Sequence, residues 1–472
     1  MILTGEFGRA ARLPATRALA HQLGVSRNIV LLAYRHLLRE GYAGGRTGSG
    51  TYVALELPDA IVLASPPGRA RTPVPAAPRL SAFARRLTTR PLARTDGSAR
   101  PAVRYDFRYG MPVAAAFPFT LWRKLVAAQA RVASVESLRA GRPEGYRPLR
   151  EAIADYLRRS RAVQCDADQV IVTSGSQQAL DLAARILVDA GERVVLKEPH
   201  YPGAREAFHG AGARITAVPV DTEGLEVARL GRVARGARVV CVTPSHQFPT
   251  GVVMSLARRL ALLRWAEDTG AWIVEDDYET EFRYERRPVE AIQGLDRRGR
   301  VIYVGTLSKA LFPALRLGYV VVPRTLIDPF RAAKWVADRQ TSTFFQEVVA
   351  GLIGDGDLER HVRRARTLLA GRRRALLEAI TTHLGHAVEI SGSDAGLHLV
   401  LWIRGMRIGR ALETLISRAA RADVGVYSVA PFYVTPPRRA GLFLGYAGLD
   451  ESEIGAGIER LAGVLRGIRA DG

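Results

Sequence analysis

From Tyr105 onward, short apolar runs of strand length alternate with stretches whose apolar residues recur at helical spacing. The strand-sized runs cover residues 170–173, 193–196, 239–243, 272–275, 301–304 and 318–322. Such alternation is typical of mostly parallel strands whose connections are helices that cover the sheet. We therefore predict an α/β domain over residues 105–472.

Residues 1–53 show a different pattern, in which two amphipathic helices precede a glycine-rich region. Leu19, Ala20 and Leu23 form an apolar face, and Gly24 can adopt the left-handed conformation that ends a helix. Ser26 can cap the second helix, which is predicted from about Arg27 to Glu40. The predicted buried stripe of this helix follows helical spacing: Ile29, Val30, Ala33, Tyr34 and Leu37.

This pattern predicts a helix-turn-helix that binds DNA. Ser26, Arg27 and Asn28 begin the second helix, where recognition helices contact phosphates and base edges in the major groove. The glycine-rich segment with Arg46 and Thr47 suits a short β-hairpin wing. A helical hairpin without a role in DNA binding is the alternative, because amphipathic helix pairs are common.

Composition narrows the class of protein. Residues 54–104 are rich in proline and arginine and have little apolar periodicity, which indicates a linker that cannot fold alone. The net charge of +22 favours a polyanionic partner such as DNA. The alternative is that a GC-rich genome, which favours arginine codons, gives the same excess of positive charge. No apolar run approaches the ~20 residues of a bilayer span. The two isolated cysteines, Cys165 and Cys241, predict neither disulfides nor a metal site, and suggest a reducing cytoplasm.

Two segments of the C-terminal domain are suited to binding a planar phosphorylated ligand. Residues 173–177 end a strand in a Gly/Ser turn that opens a helix, so backbone N–H groups and the Ser176 hydroxyl can cradle a phosphate. Tyr201, in the segment 197–203, can stack on a planar ring. The turn alone is a weak signal, because Gly-Ser turns often cap helices without a ligand.

Two further segments carry the groups that pyridoxal phosphate (PLP) chemistry requires. Glu275, Asp276 and Asp277 end an apolar strand, and PLP needs one carboxylate against its pyridinium nitrogen; a metal site or a helix cap is the alternative. Lys309 follows the next strand and can supply a neutral amine for a Schiff base, although a lone lysine is usually a solvated side chain. Three neighbours could bind phosphate: Thr306, Ser308 and Arg316.

Several motifs extend these predictions by resemblance. The motifs at residues 12–20, 23–28 and 48–53 closely resemble the GntR-type winged helix of bacterial repressors. The resemblance implies DNA contacts from Arg17, Ser26, Arg27, Asn28, Thr47 and Gly48. Such domains normally begin with a further helix, which we expect to be truncated because only residues 1–12 precede the Leu-Pro motif. Ile29 stands where the family usually has threonine.

The C-terminal segments resemble the fold-type I aminotransferases over roughly residues 105–470, which implies a large, mostly parallel domain and a smaller C-terminal α+β domain. The motifs at 174–178, 243–251, 275–284 and 306–309 resemble the MocR subgroup, in which a GntR winged helix is fused to an aminotransferase-like domain. By this resemblance Lys309 forms the Schiff base, Asp276 pairs with the pyridine nitrogen and Tyr278 contacts the ring 3-oxygen. Tyr201 stacks on the ring. The resemblance also implies that Ser176, Gln177, Ser308 and Arg316 hold the phosphate.

Two positions depart from ordinary aminotransferases. Phe248 stands where they place an asparagine, which leaves His246 or Gln247 as substitutes. Phe443 stands near the position of the arginine that binds a substrate carboxylate. Either the effector lacks an α-carboxylate, or another arginine compensates: Arg205, Arg438 or Arg439.

These observations together predict a cytoplasmic transcription regulator without a membrane segment. The expected partners are a double-stranded DNA operator, a small amine or amino-acid effector, and a second copy of the chain in a head-to-tail homodimer. PLP is the expected cofactor. The alternative is a catalytic aminotransferase with a vestigial DNA-binding segment. The truncated first helix favours that alternative, whereas the intact recognition segment and the missing carboxylate-binding arginine oppose it.

Overall fold

The computed structural model of the chain describes residues 2, 6–46, 50–57, 79–88, 103–132, 135, 139–279, 281–284, 290–392 and 395–470. These residues group into two compact units, Met1–Arg79 and Leu80–Gly472. Within the described part of the chain, no helix combines the length and the apolar character that crossing a membrane requires.

The first unit consists of two helices and a β-hairpin: α1 (Thr16–Leu23), α2 (Arg27–Arg39), β1 (Ala43–Arg46) and β2 (Gly50–Val53). Gly24 ends α1 with a φ of 66°. The Ser26 Oγ accepts a hydrogen bond from the Ile29 N–H at 3.4 Å, so both predicted caps are confirmed. β1 and β2 pair antiparallel as the predicted hairpin. Thr47 and Gly48, two of the predicted DNA contacts, lie outside the described residues.

The predicted buried stripe of α2 is only partly correct. Val30 and Tyr34 are buried, whereas Ile29 is 57% exposed. Ala33 is also exposed, and Leu37 is half-buried. All five stripe residues line one open apolar groove, and the described part of this unit leaves Ile29 and Ala33 uncovered at its rim. The predicted burial of Ile29 and Ala33 is therefore wrong.

The second unit contains the remaining helices and strands. The helices are α3 (Ala82–Thr88), α4 (Phe119–Val132), α5 (Arg147–Arg161), α6 (Ser176–Leu187), α7 (Pro202–Ala211), α8 (Leu230–Val233), α9 (Leu256–Thr269), α10 (Ile292–Leu295), α11 (Ile327–Asp338), α12 (Thr343–Gly354), α13 (Asp357–His383), α14 (Arg410–Arg421) and α15 (Glu451–Ala470). The strands are β3 (Tyr105–Asp106), β4 (Val170–Thr173), β5 (Arg193–Glu198), β6 (Arg214–Asp221), β7 (Gly224–Leu225), β8 (Ala237–Val242), β9 (Trp272–Asp277), β10 (Val301–Thr306), β11 (Gly318–Val321), β12 (Val388–Ser391), β13 (His398–Arg407), β14 (Val424–Gly425), β15 (Tyr427–Ser428) and β16 (Arg439–Gly445).

Eight of these strands form a single sheet in the order β4-β11-β10-β9-β8-β5-β6-β7. The central pairs are parallel, and β11 is antiparallel to both of its neighbours. The six strands predicted from apolar runs are all present, so the mostly parallel sheet is confirmed. A second, antiparallel sheet of order β12-β13-β16-β15 packs against α13, α14 and α15 as the smaller C-terminal α+β part.

A short helix lies inside the segment that composition identified as a linker. α3 belongs to the second unit and packs on α7, where the Arg86 guanidinium donates two hydrogen bonds to the Gly210 carbonyl at 3.0 and 2.7 Å. Residues 58–78 and 89–102 lie outside the described part of the chain. Composition did not reveal α3, because a seven-residue helix has too few positions to show a periodic pattern and is held by a surface outside its own segment.

Candidate cofactor site

A cavity of about 260 Å³ opens at the edge of the large sheet where β4, β9 and β10 end. Ligands of α/β proteins bind at this carboxyl edge. The cavity brings together all nine residues predicted for the cofactor: Ser176, Gln177, Tyr201, Asp276, Tyr278, Thr306, Ser308, Lys309 and Arg316. Its lining is completed by Tyr109, Gly110, Phe248 and Pro313.

One end of the cavity is suited to an anion. Ser176 begins α6 immediately after Gly175, whose φ of 86° favours glycine, so the positive end of a helix faces the cavity. A Cβ on Gly175 would lie 3.1 Å from the Arg316 Nη2. That nitrogen also donates to the Ser174 carbonyl at 2.7 Å, which holds the guanidinium against the turn. Helix terminus and guanidinium together form a phosphate-binding corner.

The three acids at the end of β9 have three different environments. Glu275 accepts hydrogen bonds from two backbone N–H groups that begin α10, both at 2.9 Å, and so caps that helix. Asp277 accepts from the Arg161 guanidinium at 2.8 Å and from the Tyr303 hydroxyl at 2.6 Å. The Asp276 Oδ1 is buried and has no hydrogen-bond partner in the described structure. Because alternate residues of a strand face opposite sides, only Asp276 is available to a ligand in the cavity.

Burial changes the charge state of this carboxylate and of two lysines. Burial raises the pKa of Asp276 to about 7, with nearby Lys197 acting in the opposite direction. Burial also lowers the pKa of Lys309 to about 8 and that of Lys197 to about 7. The Lys309 Nζ lies 4.0 Å from the centroid of the Tyr109 ring. A fraction of Lys309 is therefore an uncharged, nucleophilic amine near neutral pH.

The sequence did not identify Tyr109, which lines the cavity, or Lys197, whose charge acts on Asp276. Lys197 lies in β5, and its Nζ donates to the Phe248 carbonyl at 2.9 Å. It was visible as one of only four lysines in an arginine-rich chain, in the same segment as Tyr201. Tyr109 follows β3, far from every predicted motif, and no sequence pattern marked it.

A buried carboxylate with two histidines adjoins the cavity. The Glu279 Oε1 lies 2.7 Å from the His246 Nδ1 and 3.2 Å from the His398 Nδ1. Burial alone would raise the pKa of Glu279, but His398 and His246 hold it well below its usual range. The three side chains form one buried cluster of a carboxylate and two imidazole rings.

This cluster contains His246, one of the two candidate substitutes for the asparagine that Phe248 replaces. His246 Nδ1 lies 3.1 Å from the hydroxyl of Tyr278, the residue predicted to contact the ring oxygen. Gln247 instead donates to the Pro199 carbonyl at 2.8 Å. Of the two candidate substitutes for the missing asparagine, only His246 thus contacts Tyr278. Phe248 packs edge-to-face on Tyr278, with ring centroids 5.7 Å apart.

None of the three candidate compensating arginines lines the cavity as described. Arg205 pairs with Glu206 at 3.0 Å, and Arg439 pairs with Glu389 at 2.6 Å. Arg438 is exposed. Phe443 is buried in an aromatic cluster beside the cavity. Among the described lining residues, Arg316 is the one arginine, and it already belongs to the phosphate-binding corner.

The four predicted DNA-contacting residues that the structure describes lie at the surface of the first unit. Arg17 in α1 and Arg27 and Asn28 in the first turn of α2 are all exposed. Ser26 is exposed as well, at the cap of α2. The positive end of α2 and its basic side chain are therefore accessible to a phosphate backbone.

Comparisons with known proteins match both units. Residues 115–461 match the aminotransferase class I and II family, and residues 1–53 match the gntR family of bacterial regulatory proteins. The chain is 40% identical to the probable rhizopine catabolism regulatory protein MocR of Rhizobium meliloti, over all of this chain and 92% of that protein. This chain is a MocR-like member of the GntR regulators. It is also 33% identical to the HTH-type transcriptional regulator TauR of Rhodobacter capsulatus, over 98% of this chain and 94% of TauR.

A solved structure supports the fold of the MocR-like chain's second unit. The α-aminoadipate aminotransferase LysN of Thermus thermophilus, in complex with N-(5'-phosphopyridoxyl)-L-leucine, is 28% identical with a TM-score of 0.75. The match covers 83% of this chain and 98% of LysN. The fold-type I aminotransferase architecture is therefore confirmed, and its family is PLP-dependent.

Proposed function

We propose that this MocR-like protein is a DNA-binding transcription regulator that holds PLP in the cavity and senses PLP itself, an amine or an amino acid there. The observation that carries the proposal is the convergence of nine predicted residues on one cavity in a chain that also has a winged-helix unit. The alternative, a catalytic aminotransferase with a vestigial DNA-binding segment, is less favoured because the relatives that span nearly the whole chain are named regulators.

The described residues fit PLP by charge and by hydrogen-bonding capacity. The buried, unpartnered Asp276 Oδ1 is what a pyridinium N–H would satisfy, and a cation there would keep the carboxylate ionised. Arg316 and the start of α6 would hold the phosphate, and Tyr201 would cover the ring. Lys309 would hold the cofactor through its amine. PLP, when bound, supplies an aldehyde that reacts with primary amines, which is the chemistry that would recognise an amine effector.

The lining of the cavity favours one subclass of effector. A substrate α-carboxylate needs a cation of its own, and Arg316 and Lys309 are already committed to the cofactor. Aromatic side chains occupy the region where Phe443 lies. An amine without an α-carboxylate therefore fits these residues better than an ordinary amino acid does.

The proposed partners of the protein are an operator DNA and a second copy of the chain. The exposed first turn of α2 supports the DNA operator, with Thr47 and Gly48 of the wing as further contacts by resemblance. α4 has no buried residue, and its ends expose the apolar side chains of Phe119 (54%) and Val132 (70%). This exposed apolar surface supports a homodimer. The arrangement that we propose for the dimer is head-to-tail. Sedimentation of the full chain tests the dimer: a monomer at micromolar concentration would contradict it.

Visible absorption tests the cofactor assignment. Wild-type protein incubated with PLP and freed of excess should absorb near 420 nm, roughly where amine-bound PLP absorbs. Lys309→Ala should lose this band, whereas Lys124→Ala, which removes an exposed lysine on α4, should keep it. A band that is unchanged in Lys309→Ala would contradict the assignment.

DNA binding tests the regulatory half. The full chain should shift the DNA upstream of its own gene, with an affinity that changes when PLP or an amine is added. Replacing Arg27 and Asn28 together by alanine should weaken binding at least tenfold, because each base or phosphate contact contributes about 1–3 kcal/mol. Unchanged binding would show that α2 is not the recognition helix.

Turnover of amino acid and keto acid at about 1–10 per second would favour the catalytic alternative.

A further inference from the structure

Among the described residues, α3 is the first helix after the winged-helix unit, and it belongs to the cofactor-binding unit. A helix of seven residues is too short to be stable alone in water, so its form depends on the surface beneath it. The Arg86 guanidinium donates through Nε and Nη2 to the Gly210 carbonyl at 3.0 and 2.7 Å. This carbonyl belongs to the last turn of α7, whose negative end attracts a cation.

Apolar contacts bring α3 against a second helix as well. A Cβ on Gly210 would lie 3.1 Å from the Phe83 Cε2 and 3.3 Å from the Leu87 Cδ2, so the missing side chain allows α3 to approach. Arg185, near the end of α6, places its guanidinium 5.6 Å from the centroid of the Phe83 ring. α3 therefore contacts the carboxyl-terminal ends of both α6 and α7.

The opposite ends of the same two helices form part of the cofactor cavity. α6 begins at Ser176, and Tyr201 is the N-cap of α7; both residues line the cavity. The Gln177 Nε2 donates to the Gly203 carbonyl at 2.9 Å and joins the two N-terminal ends. Between their ends the helices share one buried core. α7 has ten residues and is about 15 Å long, so the cavity and α3 lie one helix length apart.

We propose that the carboxyl-terminal ends of α6 and α7 are a docking surface for α3, and that docking is coupled to occupancy of the cofactor cavity. The inference rests on the proposed function, because PLP is the ligand expected to contact both N-terminal ends. A ligand that contacts both ends fixes the alignment of α6 and α7, and α3 needs that alignment because it contacts both helices. PLP therefore favours the docked state, and α3 passes the state of the cavity to the chain that leads to the DNA-binding unit.

Coupling between two binding events is reciprocal. If PLP favours docking of α3, docking strengthens PLP binding by the same factor. The contact surface of one short helix is small, so we expect a factor near the lower end of the usual range, about fivefold. This reciprocity gives a test that does not depend on DNA.

The experiment compares three forms of the full chain: wild type, the double variant Arg86→Ala with Leu87→Ala, and the control Arg85→Ala. Arg85 lies in the same helix but donates to the Leu80 carbonyl of its own segment. PLP affinity is measured by visible absorption titration. Deuterium uptake of residues 80–88 is measured with and without PLP.

The expected result is that PLP slows deuterium uptake of residues 80–88 in wild type about fivefold, and that the double variant binds PLP about fivefold more weakly. Arg85→Ala should bind PLP as wild type does. If PLP binds wild type but neither the uptake of 80–88 nor the affinity of the double variant changes, the coupling is overturned while the cofactor assignment stands. If wild type shows no PLP band, the proposed function fails and this inference fails with it.

Discussion

The cofactor cavity and the winged-helix unit each contain groups without a partner among the described residues. In the cavity the group is polar and buried, whereas in the winged-helix unit the groups are apolar and exposed. In the cavity, a buried carboxylate oxygen of Asp276 has no partner among the described residues. In the first unit, large apolar side chains face outward, with Leu23 55% and Ile29 57% exposed. An unmatched buried polar atom calls for a small polar ligand, because leaving it alone is costly. An unmatched apolar face calls for packing, which any apolar surface of suitable shape can supply.

The largest expected effect concerns Asp277, the neighbour of Asp276 that is fully engaged. Asp277→Ala leaves the buried Arg161 guanidinium without its ion pair at 2.8 Å, so the free energy of unfolding of the second unit should fall by about 3–5 kcal/mol. Urea unfolding followed by tryptophan fluorescence measures the change. Asp155→Ala, which removes an exposed partner of Arg158, is the control and should cost under about 1 kcal/mol. Equal losses of unfolding free energy for both variants would show that the buried ion pair of Asp277 with Arg161 stabilises the protein no more than an exposed one does.

The next effect separates the buried and exposed positions of the predicted α2 stripe. Val30→Ala removes a side chain that is 3% exposed and should lower the stability of the first unit by about 2 kcal/mol. Ile29→Ala removes a larger side chain that is mostly exposed, and should cost under about 0.5 kcal/mol. Thermal unfolding of the full chain, followed by circular dichroism, compares them. A larger loss for Ile29→Ala would mean that a surface covers this side of α2 in solution.

The same contrast explains how far the sequence could be interpreted. The strands and the nine cavity residues were predictable, because parallel strands end at one edge and each motif residue lies beside a strand end. Among Glu275, Asp276 and Asp277, the resemblance alone implied Asp276; the partners that occupy the other two, such as Arg161 and the start of α10, lie 15 or more residues away and gave no sequence signal. Burial of Ile29 was inferred from helical spacing alone, but spacing shows only which residues share a side of a helix and cannot show that another element covers it.

An effect of opposite sign is expected for Asp276. Its pKa is raised by burial from 3.8 to about 7 in the folded state, so the folded protein loses stability as the pH rises from about 4 through 7. Asp276→Asn removes this loss. Without PLP, the variant should equal wild type near pH 4 and exceed it by up to about 4 kcal/mol at pH 8, because one pKa unit corresponds to about 1.4 kcal/mol. The measurement is urea unfolding at both pH values.

Bound PLP should reverse the order of stability of wild type and Asp276→Asn at pH 8. Wild type should gain more stability from PLP than Asp276→Asn does, because the carboxylate then has a cationic partner. A difference between the two proteins that is the same at pH 4 and pH 8 would contradict the buried, unpartnered carboxylate. It would also remove the contrast between the cofactor cavity, with its buried polar atom, and the winged-helix unit, with its exposed apolar side chains.

The smallest effect separates folding from DNA contact at Ser26. Its Oγ accepts from the Ile29 N–H, so Ser26→Ala should cost about 1 kcal/mol of stability in the first unit, whereas Ser26→Asp keeps an acceptor at the cap and should cost little. The two variants should rank in the opposite order for DNA. Ser26→Asp places a negative charge beside a DNA phosphate and should weaken binding about tenfold or more, while Ser26→Ala should weaken it less. Thermal unfolding and gel shift on the same preparations give both rankings. If the two variants rank in the same order in both measurements, Ser26 acts through the stability of α2 alone and does not contact DNA.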